Sequence, residues 1–270
     1  MAGLDSLEEF IVTIIWYVVC FSSIVANTCA IFVLRKKIPK LVPDMLVLHL
    51  VISELGLVIW NVTLRSMTWF GDIPRIPMVR MIGSQFGTSL IYQLIIIISL
   101  DRFLVAKLNV RYRVIVTKRK LFWIVILIWV LSTISAVICG TYSHLKTVIW
   151  IFWSVITIVS IVASYSYIIL VLHRQKKTLK SSRSNVGQFK YKVPLCIAFS
   201  TILIMLIPDI IAVVDPKLIS YNLLLVIWYT NFLIHPLLYV FSRVCYKRHS
   251  QRQTSECGKH TMVAEITTTV

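Results

Sequence analysis

Phe10 to Leu34 is a run of 25 residues without one charged side chain, and no other feature narrows the possible folds as far. A chain segment crossing hydrocarbon must satisfy every backbone N–H and C=O within itself, which takes a helix of about 20 mostly apolar residues. Comparable runs follow. Leu41 to Thr63 contains Asp44 near its start and Glu54 at depth. A third run goes from about Met78 to Val105, with Arg80 at its outer end and Asp101-Arg102 at its inner end. Leu121 to Gly140 and Val148 to Leu172 carry no charge. Val193 to Val214 holds Asp209 alone, and Ile219 to Phe241 holds none. The pattern predicts seven spans joined by short loops. The first run is too long and unbroken for a signal peptide and no cleavage site follows it, so it reads as a true span.

Composition agrees, at 58% hydrophobic and 14% charged, against roughly 45–50% and about 25% in soluble chains. The formal charge of +17 would by itself suggest a nucleic-acid or anionic surface. A nucleic-acid module would be poor in long apolar runs, so nucleic acid is not an expected partner. The cations instead mark orientation. Basic residues fall at 35–40 (four), at Arg102, at 107–120 (six), at 174–192 (seven) and at 243–259 (five), which is 23 of 28 on alternate loops. Arg65, Arg75, Arg80, Lys146 and Lys217 are the remainder. By the positive-inside rule the N-terminus lies outside and the C-terminus in the cytoplasm.

The predicted fold class is therefore an all-α membrane protein, a seven-transmembrane helix bundle with a short amphipathic eighth helix. Residues 1–9 form a short extracellular N-terminus and residues 10–241 the seven-span domain. Residues 242–250 form the amphipathic helix and 251–270 a flexible cytoplasmic tail. The lipid bilayer is its surrounding partner, and the plasma membrane its expected location.

Smaller signals are few. Six cysteines show neither metal spacing nor an extracellular pair; no metal and no cofactor is expected, and most are read as buried small residues. Cys245, in the basic stretch after the last span, is a candidate for palmitoylation, with plain burial the alternative. Asn61-Val62-Thr63 is a formal glycosylation sequon, but it lies seven residues past Glu54 and is expected within the helix, unmodified. The C-terminal Thr267-Thr268-Thr269-Val270 presents Thr268 and Val270 in the spacing that suits strand addition to a PDZ groove, so a PDZ-domain protein is a candidate partner. No internal repeat is present.

Ionisable groups within spans cost about 2.5–3.5 kcal/mol each at mid-depth, so each demands an account. Here they are His49, Glu54, Asp101, Arg102, Asp209 and His235. Around them stand Ala26-Asn27 in span one, Leu50-Val51-Ile52-Ser53-Glu54 in span two and Ser99-Leu100-Asp101-Arg102-Phe103 at the end of span three. Tyr112-Arg113-Val114-Ile115-Val116-Thr117 follows. Trp129 is in span four, Tyr165 in span five, Pro208 in span six and His235-Pro236-Leu237-Leu238-Tyr239 in span seven. In this order and placement the chain, from about Phe10 to Tyr246, resembles the rhodopsin-like (class A) G-protein-coupled receptors. These motifs are similar to that family's span-one Gly-Asn, span-two LAxxD, DRY and NPxxY.

The resemblance implies a receptor that carries an extracellular signal to a cytoplasmic heterotrimeric G protein through outward movement of span six. It implies an activation switch of Asp101, Arg102, Tyr165, Pro208, Pro236 and Tyr239, in which Asp101 restrains Arg102 and the tyrosines stabilise its release. An ion pair that merely neutralises the interface is the bland alternative. Pro208 removes a backbone bond and should kink span six. Asn27, Glu54 and His235 would form a buried polar network, with Glu54 and His235 meeting as a carboxylate–imidazole pair if span two packs on span seven. Such a pair is either a neutral, satisfied core contact or a proton-sensitive one.

The chain also departs from the family. Glu54 stands for the span-two Asp, His235 for the span-seven Asn and Leu206 for the span-six Trp. Pro77 stands near the expected external Cys and Thr157 near the span-five Pro. The missing disulfide, the missing Pro and a very short outer loop after span four are similar to the melanocortin-like branch. The stretch Arg174 to Lys192 has no acid, so span six offers Arg102 no carboxylate and elevated basal activity is expected.

The ligand pocket implied by the resemblance contains Ser84, Gln85, Asp209, Trp228 and Tyr229, for an extracellular ligand that is a small molecule or a peptide. Ser84 where amine receptors carry an Asp argues against amine recognition. Asp209 could instead pair with a cationic ligand or hydrogen-bond a polar neighbour, and the aromatics could serve packing. Span seven has no Lys, which excludes a retinal Schiff base. No catalytic constellation is present, so the chain is not expected to be an enzyme. The rival class is a small polytopic channel or transporter, which would favour repeats, broken helices and more midplane charge.

Overall fold

The structure, a computed structural model, describes residues 2–35, 42–67, 76–108, 111–142, 144–178, 200–214 and 223–240. Its elements are α1 (Ala2–Arg35), α2 (Val42–Met67), α3 (Ile76–Leu108), the single turn α4 (Tyr112–Ile115), α5 (Lys118–Thr141) and α6 (Leu145–Thr178). A π-helical segment (Thr201–Leu206) then runs into α7 (Ile207–Val214), and α8 (Leu223–Val240) completes the set. Among the described residues there is no strand. Six helices, α1, α2, α3, α5, α6 and α8, are long and apolar enough to cross a membrane. The chain is an all-helical, multi-pass membrane bundle. The expected sixth span is described only from Ser200. The rest of the acid-free stretch beyond Thr178, the amphipathic segment 242–250, Cys245, Thr268 and Val270 lie outside the described residues.

The bundle is organised around α3, which packs on α2, α5 and α6. Residues 87–95 are buried without interruption, so polar side chains there have only helices to bond. The outer helices face lipid: Phe21, Phe32, Phe122, Trp123 and Val155 are exposed. Where the outward face is as apolar as the core, amphipathicity fades, and small or hydroxyl-bearing side chains mark the packed face instead. α5 shows this, burying Ser132, Ser135, Ala136 and Cys139. Cys29, expected among the buried cysteines, is exposed. The reason is that α1 is peripheral and turns Asn27 and Ala30, not Cys29, inward.

α2 meets α3 through Gly83 and Gly87, four residues apart on one helix face. A Cβ on Gly83 would overlap the Trp60 indole, and one on Gly87 would lie 2.7 Å from Leu57 Cδ1. The small residues let the two helices approach, and Ser84 Oγ donates to Asn61 Oδ1 across the contact at 2.7 Å. Asn61 Nδ2 donates to Leu57 O at 2.9 Å, which places the sequon inside a helix, as expected.

Short connections fix neighbouring helices. α5 ends at Thr141 and α6 begins at Leu145, so the expected brief loop is residues 142–144. It is tied by Tyr142 N to Ile138 O at 2.8 Å and Leu145 N to Tyr142 O at 2.9 Å. At the other end of α5, Thr117 caps the helix by accepting from Lys120 N, as a β-region Thr before a helix should.

Pro208 does more than bend its helix. A proline has no N–H, and its ring crowds the carbonyl four residues back. Just before it the backbone widens into six π-helical residues, closed by Ile207 N–H bonding Ile202 O, five residues back. The expected distortion is therefore a change of helical register.

Candidate functional site

Two polar clusters interrupt the apolar interior. The first is at mid-bundle, where α1, α2, the π segment and α8 converge. His235 Nδ1 lies 2.6 Å from Glu54 Oε1, and His235 Nε2 lies 3.0 Å from Thr201 Oγ1. Glu54, Thr201 and His235 are all 0% exposed. The pair expected from sequence is thus joined by a third member, Thr201. Both imidazole nitrogens are engaged, and each neutral tautomer satisfies one as donor and one as acceptor. Glu54 Oε2 is buried without a hydrogen-bond partner.

Asn27 belongs to the same region. Its Nδ2 donates to Ser23 O and to Phe232 O, each at 2.9 Å. The second bond staples α1 to α8 just before His235. An Asn amide bound to a backbone carbonyl on another helix fixes rotation as well as distance, because the carbonyl cannot turn without its helix. Sequence placed Asn27, Glu54 and His235 in one network; the structure joins Glu54 to His235 and ties Asn27 to the same helix through Phe232 O rather than to either of them.

The second cluster closes the far end of α3. Arg102 Nε is 3.9 Å from Asp101 Oδ2, with side-chain exposures of 20% and 5%. That separation is an ion pair and too long for a hydrogen bond. The tighter partner of Asp101 is Tyr112, whose hydroxyl donates to Asp101 Oδ1. Tyr112 is delivered by α4, whose turn is closed by Val116 N to Tyr112 O at 2.9 Å. Burial first, and then its bond to Asp101, raise the Tyr112 phenol above its usual range. Tyr165 of α6 and Tyr239 of α8 both lie in the field of Arg102. Asp101 and Arg102 are thus paired, with Tyr165 and Tyr239 near enough to feel the Arg102 charge, while the restraint on Asp101 comes from Tyr112. Its only trace in the sequence is a Tyr eleven residues past Asp101.

Pro208 and Pro236 are both buried. The side chains of Leu206, Asp209 and Pro77 lie outside the described residues. The remaining pocket residues are dispersed over several contacts. Ser84 bonds α2 through Asn61, and Gln85 Nε2 donates to Ser89 Oγ at 3.4 Å within α3. Trp228 packs edge-on to Tyr92 and to Phe232. Its neighbour Tyr229 turns to α1, edge-on to Trp16, where the Arg65 guanidinium lies 4.7 Å from the Trp16 ring. Trp228 and Tyr229 both touch Phe232 but reach different neighbours, Tyr92 for one and Trp16 for the other. Consecutive residues on a helix diverge by about 100°.

Sequence reasoning passed over Tyr92, a fully buried hydroxyl that receives Trp150 Nε1 and Ser154 Oγ, each at 3.3 Å. It also passed over Gln93, whose Nε2 donates to Ser132 Oγ at 3.1 Å. The available signal was polar residues inside an otherwise apolar α3. No group of three or more His, Cys, Asp or Glu among the described residues can hold a metal. Compared with known proteins, the sequence matches no family model and no curated protein.

Proposed function

We propose that this chain is a receptor of the rhodopsin-like class, passing an extracellular signal to a cytoplasmic heterotrimeric G protein. In this reading the segment 193–214 is also a span, the sixth in order, which brings the total to seven; the N-terminus is extracellular, and the protein works in the plasma membrane. Residues 242–250 form an amphipathic eighth helix there, with Cys245 as an acylation site and the Thr268–Val270 terminus as a PDZ ligand.

The observation that carries the reading is the cluster at the end of α3. Arg102 is one-fifth exposed and only loosely paired, Asp101 is held by Tyr112, and tyrosines from two further helices lie in the arginine's field. A cation so placed can exchange its intramolecular partner for an incoming acceptor at little cost, because the loose ion pair has no hydrogen bond to lose. The register shift before Pro208 supports a span six with two packings, which a ligand could bias by differential affinity. The dispersed outer residues suit a small molecule or peptide lodging among α2, α3 and α8.

The test is expression in cells carrying a panel of G-protein biosensors, with Arg102→Ala alongside. The expected result is basal or ligand-driven activation of at least one G protein that Arg102→Ala abolishes. Ion flux through the purified protein in bilayers, with silent biosensors, would favour the channel or transporter reading.

A further inference from the structure

Thr201 belongs to no recognised motif, yet it is fully buried, opens the π-helical segment and bonds His235. We propose that Thr201 is a positioning residue, and that the chain Thr201–His235–Glu54 locks the π register of this segment against α2 and α8.

π-helical turns are rare because their backbone bonding is less favourable, and six consecutive residues need something to hold them. Pro208 accounts for one end. In α-helical register its ring would crowd the carbonyl of Ile204, and the wider turn relieves this. The other end begins at Thr201, and the tie there comes from a different helix. Were the segment to tighten to α geometry by one residue, everything before it would turn by roughly 100° about the axis. Thr201 would then leave His235. The bond and the register therefore stand or fall together.

A hydroxyl is suited to this place because it both donates and accepts. With a proton on Nδ1 facing Glu54, His235 Nε2 accepts from Thr201. With the proton on Nε2, His235 donates to Thr201 and accepts from the Glu54 carboxylic acid. The contact survives either arrangement. Serine can replace threonine here, and valine, of the same shape, cannot.

The lock rests on geometry; its consequence for signalling rests on the receptor reading above. The experiment uses the full-length protein in lipid nanodiscs, comparing wild type, Thr201→Val, Thr201→Ser and His235→Ala by hydrogen–deuterium exchange over residues 202–207. In Thr201→Val, exchange should rise by about five- to ten-fold, the effect of one lost buried hydrogen bond. Thr201→Ser should match wild type, and Thr201→Val should add nothing in the His235→Ala background. Circular dichroism showing unchanged helix content confirms that the variants fold. Wild-type exchange in Thr201→Val, or equal increases in Val and Ser, would overturn the lock. Should Thr201→Val lose helix content, Thr201→Ala read in the same way decides instead, and exchange at the wild-type level in Thr201→Ala overturns the lock. The same variants in the biosensor assay separate the two claims. Altered exchange with G-protein activation at the wild-type level upholds the lock and separates it from signalling. Altered exchange with silent biosensors for every variant and for wild type upholds the lock and counts against the receptor reading.

Discussion

A methyl group added at Gly83 has no space to occupy. It would fall on Nε1, Cε2 and Cζ2 of the Trp60 indole, so Gly83→Ala forces that ring out of the α2–α3 contact and strains the neighbouring Ser84–Asn61 bond. Overpacking of this kind costs about 1–3 kcal/mol, and alanine returns roughly 0.5–1 kcal/mol of helix propensity over glycine. The net loss is about 1–2 kcal/mol, or about 2–8 °C in thermal midpoint at roughly 2–4 °C per kcal/mol for a chain this long. Gly56 supplies the control, since a Cβ there meets nothing within 4 Å. Gly56→Ala should gain the propensity alone, raising the midpoint by about 1–4 °C. Gly87→Ala should fall between them, because it meets the flexible end of Leu57. Thermal unfolding in detergent, followed by a thiol-independent fluorescence readout, measures all three. A Trp60→Ala background should erase the Gly83→Ala penalty. An equal penalty with and without Trp60 would refute the reasoning.

Tyr112→Phe removes the hydroxyl that holds Asp101 and frees the carboxylate to close on Arg102, and should lower basal signalling about ten-fold or more, the effect of one hydrogen bond to a charged group; unchanged basal output in the biosensor assay counts against Tyr112 as the restraint. The same phenol gives a pH signature with a definite sign. Its folded pKa is raised above an unfolded value of about 10, so the unfolded chain releases the proton first. The stability is full below about pH 10 and is lost as pH climbs beyond it. Alkaline unfolding should therefore shift in Tyr112→Phe, read as a flatter midpoint-against-pH curve. Replacing His235 with Asn removes the imidazole that bridges Glu54 and Thr201 and should change basal signalling in the biosensor assay; unchanged output would rule out a role for this contact in signalling. Arg102→Ala should bring ligand-free second-messenger levels down to those of untransfected cells, and matching levels in wild type and variant would refute elevated basal activity.

Most of the helices were legible because the hydrocarbon thickness writes them as runs of fixed length. The two glycines against Trp60 and Leu57 were legible in principle, as small residues four apart, but nothing in the sequence says which helix presents a ring to them. The Glu54–His235 pair was readable because buried ionisable groups are rare enough to be matched with one another. Thr201 was not, since hydroxyls in spans usually bond their own helix, as Thr157 does to Trp153 O at 2.7 Å. Nothing in the sequence says that this hydroxyl reaches the imidazole of α8. Tyr112 was missed for a related reason: a one-turn helix leaves no periodicity to read.

One stripe of α8 joins what the separate sites leave apart. Trp228, Phe232, His235 and Tyr239 recur at intervals of four, three and four, the spacing that keeps side chains on one helix face. Trp228 lies against Tyr92, and Phe232 is fully buried beside it. His235 bridges Glu54 and Thr201, and Tyr239 lies in the fields of both Glu54 and Arg102. A rotation of α8 would move all four together, since they share one rigid backbone. It would also break the Asn27 bond to Phe232 O, which fixes α8 against α1. Asn27 is then the restraint on the whole stripe. Its loss should alter exchange at the π segment, through His235, without any direct contact between the two.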